Sequence, residues 1–140
     1  MKVEHVGSTS IPGCSGKGVI DLAVTYAEGD LEHAKAALDS LSFQKQAGRD
    51  PFPESRPMRI ANIRALGDTF RVHAHVVLKN SRDHLDLTEF RDALRRDPAL
   101  RAAYEQAKQR ILSSGVTDSL DYCNLKSEFV VATLAKVLNP

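Results

Sequence analysis

"HVGSTSIPGCSGKGVIDLAV" occupies residues 5–24, near the start of a 140-residue chain. Gly7, Ser8, Thr9, Ser10, Gly13, Gly16, Lys17 and Gly18 crowd ahead of an apolar run that one acid, Asp21, interrupts. That run, "GVIDLAV" over 18–24, has the length and continuous apolarity of a central strand covered on both faces. Glycines and hydroxyls before such a strand let the backbone come close to a ligand, a phosphate above all.

Two phosphate-loop patterns fail on spacing. A Walker A loop needs GxxxxGK[ST], but the only Gly-Lys is Gly16-Lys17, with Ile11 where the first glycine belongs and Gly18 where Ser or Thr belongs. A GxGxxG loop joins a strand to a helix, whereas this stretch precedes its strand. What remains is Gly7-Ser8, then twelve residues, then Asp21.

Downstream, Asp30 reads as an N-cap followed by Leu31, Ala34, Leu38 and Leu41 at helical spacing, which predicts a helix over 30–41. Pro51, Pro53 and Pro57 make 48–57 a loop. "MRIANIRAL" (58–66) and "FRVHAHVVL" (70–78) read as two strands, with Gly67-Asp68-Thr69 between them, hence a hairpin. Helices follow: "LTEFRDALRR" with Leu87, Phe90 and Leu94 on one face, then a helix capped by Asp97 with Pro98 at its first position. A last helix is expected from about Asp118 or Asp121 to Leu138. The order predicts one domain over 1–140, a small α/β or α+β fold with a mixed sheet, packed helices and a helical C-terminal half.

Composition narrows the function classes. Hydrophobic residues are 42%, charged residues 26% and the net charge is +1, so no surface-wide nucleic-acid signal exists and any anion site must be local. No apolar run approaches the roughly 20 residues of a membrane span, and "MKVEHVGSTS" lacks the apolar core of a signal peptide. Cys14 and Cys123 form no metal or redox spacing, so a reducing cytoplasm is the simpler setting.

The Gly-Ser turn followed by an acid on a strand resembles the signature of the nucleotidyltransferase superfamily. The longer text "EHVGSTSIPGCSGKGVIDLAV" resembles, more specifically, the opening motif of the GrpB family. "HAHVV" (73–77), "FRDALRRDP" (90–98), Tyr104 with Lys108, and "DYCNLKSEFV" (121–130) match later landmarks of that family in order. The resemblance covers nearly the whole chain. It implies a polymerase-β-like nucleotidyltransferase fold, and a Mg²⁺-dependent transfer of a nucleotidyl group from a nucleoside triphosphate to an acceptor. It also implies a further N-terminal element ahead of the motif, so the expectation is either a truncated start or a copy without that helix. Two departures bear on mechanism. The second acid of an Asp-x-Asp pair is Ala23 here, and Cys14 and Gly18 stand where the family has Leu and Pro.

Site residues follow from both lines of reading. Asp21 inside an apolar run is a candidate metal or phosphate-site acid, against the alternative of an acid paired with an arginine. Gly7, Ser8, Thr9 and Lys17 are candidates for phosphate contact, although Ser8 and Thr9 are equally suited to cap a turn and Lys17 to be solvated. Arg71, His73 and His75 alternate along one strand, so they share a face while Val72, Ala74 and Val76 take the other. If that face lies beside Asp21, then Asp21, His73 and His75 are the catalytic set, Asp21 and His75 the metal ligands, and Arg71 an anion contact. Tyr104, Lys108 and Lys126 are candidates for a basic wall, and Arg91 with Asp92 reads as a surface ion pair or as an arginine reaching the site. The expected partners are a nucleoside triphosphate or another phosphate-bearing small molecule, with a homodimer left open. A non-catalytic phosphate-binding module and a protein-interaction domain remain as alternatives to an enzyme.

Overall fold

The computed structural model of the chain describes residues 1–13, 18–115 and 130–135. Strand β1 (Lys2–Val6) leads through a short 3-10 helix (Ser8–Ser10) to β2 (Val19–Tyr26), then α1 (Leu31–Ser40). Next come β3 (Gln44–Lys45), β4 (Met58–Ala65), β5 (Asp68–Leu78), α2 (Arg82–Arg96) and α3 (Pro98–Ser113). Residues 130–135 are helical, and the rest of the last expected helix lies outside the described residues.

The result is a mixed α/β fold built on a five-stranded sheet in the order β1-β2-β5-β4-β3. Only β2 and β5 run parallel, and the other three pairings are antiparallel. The long apolar run predicted as a central strand is β2, which has neighbours on both sides. Strands β1 and β3 were not expected. β1 carries Lys2, Glu4 and His5, a polar text for a strand, and β3 is two residues long.

Contacts divide the chain into two compact units, Met1–Thr88 and Glu89–Pro140. In the first, alternation along the strands sorts the sheet into two faces. Val24, Ala74 and Val76 bury themselves against Ala34 and Leu38 of α1, each large aliphatic contributing about 1.5–3 kcal/mol by leaving water. On the opposite face Val6, Ala23 and Val77 pack with Leu87 from the first turns of α2. Beside them His84 of α2 meets Glu4 of β1 at 2.6 Å. Its Nδ1 accepts from the Asn80 backbone N–H at 3.0 Å, so Nε2 carries the proton and donates to the carboxylate.

The hairpin is tighter than its sequence suggests. Ala65 pairs with Asp68, which leaves only Leu66 and Gly67 as the turn. Both have positive φ, 53° and 81°, as a two-residue turn matching the strand twist requires. Helix caps differ as well. Asp30 precedes α1 but makes no side-chain capping bond, whereas Asp97 accepts from the N–H groups of Ala99 and Leu100 at the start of α3. Within the second unit Phe90 and Tyr104 meet edge to face, ring centroids 5.3 Å apart.

Candidate functional site

The site forms where β1 ends. Val6, the last residue of β1, is the register partner of Asp21 on β2. The chain then leaves the sheet at Gly7, with φ 73° and ψ −175°, a region essentially closed to other residues. Gly7 lies so near the carboxylate that a methyl group on it would come within 2.6 Å of Asp21 Oδ2. Ser8–Ser10 form the single 3-10 turn, locked by Ser10 Oγ donating to the Gly7 carbonyl at 2.6 Å. Thr9 Oγ1 is 2.9 Å from His5 Nε2. The glycine-hydroxyl stretch thus brings main chain against Asp21 instead of wrapping a loop of its own.

The parallel pairing supplies the other side. Asp21 is the register partner of His73, and Ala23 of His75, so the acid and both imidazoles share one sheet face. His73 Nδ1 is 3.8 Å and His75 Nε2 3.4 Å from Asp21 Oδ1. Arg71 is exposed, two residues before His73 on the same face, opposite Val19. The structure therefore gathers Gly7, Asp21, His73 and His75, with Ser8 and Thr9 in the adjoining turn. Lys17 and Lys126 lie outside the described residues, as does Cys14. Lys108 is not a free wall residue: its Nζ meets Glu105 at 2.6 Å and lies 4.7 Å over the Tyr104 ring. Arg91 pairs with its neighbour Asp92 at 2.9 Å.

Two residues that sequence reading missed complete the group. Arg56 places Nη1 3.1 Å from His75 Nδ1, and Phe52 meets the His75 ring edge to face at 5.8 Å. The Arg56 guanidinium also lies 4.5 Å over the Phe52 ring. Both come from the proline-rich loop, where no periodicity marks a side chain's direction. The local signal is Pro57, whose carbonyl accepts from the Val76 N–H at 2.9 Å. That bond docks the loop's end on β5 beside His75.

Hydrogen-bond direction now fixes the chemistry. A guanidinium only donates, so His75 Nδ1 accepts and Nε2 bears the proton. The neutral ring donates through Nε2 toward Asp21, which leaves both nitrogens engaged, the single lone pair on Nδ1 being taken by Arg56. Burial pushes the Arg56 pKa below its ordinary value, and Asp83, 3.8 Å from Nε, offsets this in part. Among the described residues no group of three or more His, Cys, Asp or Glu side chains is placed to hold a metal ion. Of the two expected metal ligands, His75 has both ring nitrogens facing Arg56 and Asp21, and the Asp21 side chain is 27% exposed. The position of the missing second acid is closed: Ala23 is 0% exposed, packed among Val6, Val77 and Leu87.

A family model described as GrpB protein matches residues 1–136. A UPF0157 protein of Streptomyces coelicolor is 32% identical over 132 residues, covering 94% of this chain and 66% of that protein. One from Pseudomonas aeruginosa is 30% identical over 139 residues, covering 99% of this chain and 56% of that protein. The chain thus spans 56–66% of the length of these relatives. A crystal structure of the conserved protein GrpB from Enterococcus faecalis matches with a TM-score of 0.60 over 96% of this chain and 82% of that one. At 23% identity that is a likeness of fold. No described helix is long and apolar enough to cross a membrane.

Proposed function

The chain belongs to the GrpB family, and from that premise we propose that its Asp21 face binds a phosphate-bearing small molecule, a nucleoside triphosphate above all. The observation that carries this reading is the approach of Gly7 to the Asp21 carboxylate. It leaves main chain, a hydroxyl-bearing turn and a half-exposed acid at one spot, which suits a phosphate group and a cation together. The arrangement of a Gly-Ser turn beside a strand acid supports a nucleotidyltransferase-like placement of the fold. Magnesium bridges one or two carboxylates to ligand phosphates and keeps several waters. The donor set fits that shared mode, with Asp21 as the protein ligand. When bound, such an ion neutralises phosphate charge.

Binding is favoured over nucleotidyl transfer because the strand supplies one acid, and the place of a second is filled by packing at Ala23. The residues of this chain therefore bind and orient. The Gly7 turn brings main chain to the ligand, and His75, 3.4 Å from Asp21, helps to position the acid.

Thermal unfolding with ATP, GTP, CTP, UTP and sodium tripolyphosphate, each with and without MgCl₂, tests this. The expected result is a Mg²⁺-dependent rise in Tm, by mass action, that Asp21→Asn abolishes and Ser8→Ala reduces. A flat Tm across the whole panel defeats the phosphate reading and leaves the motif as a structural turn. Release of pyrophosphate on incubation with an acceptor would raise the protein from binder to transferase.

A further inference from the structure

We propose that Arg56 is the anion-binding arginine of this site, and that a ligand phosphate takes its guanidinium in exchange for the His75 contact. The proposal rests on the phosphate-binding reading above and adds the residue that recognises the anion.

Two arginines three positions apart make the case by contrast. The Arg59 side chain is 1% exposed and its charge is matched: Glu54 accepts from Nη1 and Nη2 at 2.8 and 3.1 Å, and Asp39 from Nε at 3.1 Å. That arginine is structural. The Arg56 side chain is 20% exposed, yet has no such match. Its close partners are the neutral imidazole of His75 and the ring face of Phe52. Among the described residues the carboxylate near it is Asp83, which stands 3.8 Å from Nε, beyond hydrogen-bond length, and is itself 58% exposed. Nη2 makes no hydrogen bond among the described residues.

A guanidinium largely withdrawn from water, with neutral groups as its hydrogen-bond and ring partners and the Asp83 carboxylate at 3.8 Å, carries a desolvation cost that a closer anion recovers. Its planar fork offers paired N–H donors in the geometry phosphate oxygens accept. The backbone that presents it is set beforehand. Arg56 N–H donates to the Pro53 carbonyl at 2.9 Å, and Pro57 is bonded to Val76 on β5. Only the side chain has to turn, so ordering costs little. Position completes the argument, because one imidazole ring separates the guanidinium from Asp21, His75 touching both. A phosphate lying between them meets Arg56 on one side and the cation on Asp21 on the other.

The exchange has its own signature. When the guanidinium leaves, His75 Nδ1 loses its donor and its nitrogen resonance moves. A residue that merely ties the loop to α2 would show no such change.

Titration calorimetry with sodium tripolyphosphate and with ATP, each with MgCl₂, on the wild type, Arg56→Lys and Arg56→Gln is the test, with ¹⁵N spectra of His75 recorded on the wild type. The expected result is a loss of affinity of about tenfold or more in Arg56→Gln and a smaller loss in Arg56→Lys, which keeps charge but not the fork. The wild-type Nδ1 resonance should shift on saturation. If the wild type binds and both variants bind within about twofold of it, Arg56 is a structural tie; the phosphate reading stands and this inference falls. An Nδ1 resonance unmoved at saturation overturns it equally, even where the variants do not fold. If the wild type binds neither probe, both readings fall.

Discussion

Gly7 and Asp21 are in contact distance: a methyl group on the glycine would lie 2.6 Å from the acid's Oδ2. The same glycine has φ 73° and ψ −175°, so the sequence needs glycine here for two separate reasons. Gly7→Ala should lower stability by about 1–3 kcal/mol from backbone strain alone. Because the methyl also pushes the carboxylate aside, ligand affinity should fall further than in a substitution that only destabilises. Chemical denaturation beside a Mg-nucleotide titration checks both effects.

Ala23 stands two residues after Asp21 on the same sheet face, and an acid introduced there would be buried. The side chain is 0% exposed among Val6, Val77 and Leu87. Ala23→Asp should destabilise the fold by about 3 kcal/mol or more, since an unpaired carboxylate would be buried. Denaturant unfolding reads this directly, and an Ala23→Asp variant as stable as the wild type would show that this packing opens easily.

Glu54 gives the loop its acid sensitivity. Hydrogen bonds from Arg59 hold its carboxyl down to about 2, from an ordinary 4.5, against a desolvation effect of opposite sign; Lys45 and Lys35 assist. The folded-state pKa is depressed, so the stabilisation is complete above pH 4.5 and is lost as the pH falls toward 2. Measured by unfolding at a series of pH values, the stability gap between wild type and Glu54→Gln should be constant above 4.5 and close below it. A gap that widens on acidification would contradict the assignment.

Asp97 tests the helical unit. Its carboxylate accepts from Ala99 and Leu100 N–H, at 3.0 and 3.2 Å. Asp97→Ala should cost about 1 kcal/mol. Asp30→Ala should cost less, because the Asp30 side chain makes no capping bond. The pair compared by thermal unfolding separates a working cap from a residue that only occupies the position.

Local pattern carried much of the fold. The apolar run of β2, the hairpin of β4 and β5, the helix after Asp30 and the Asp97-Pro98 start are set by residues a few positions apart. Those interactions are written in the text itself. So was the shared face of His73 and His75, which follows from the two-residue period of a strand. The text of the opening motif also carried the family. By contrast β1 shows no apolar pattern, because as an edge strand it exposes Lys2 and Val3 and is recruited by pairing with β2.

The sequence by itself determined that an acid, a glycine-hydroxyl turn and a pair of histidines exist on strand-forming segments, and that the two histidines share one face. Tertiary structure alone decided that they meet. The parallel register sets Asp21 against His73, and one residue of slip would turn every one of these side chains to the α1 face. It also decided that Arg56, from an aperiodic loop, stands at His75 Nδ1, and that Ala23 is sealed. Those facts depend on pairings between segments 19 residues apart for Arg56 with His75 and 54 apart for Asp21 with His75. Such pairings follow from packing the whole sheet, and no local pattern encodes them.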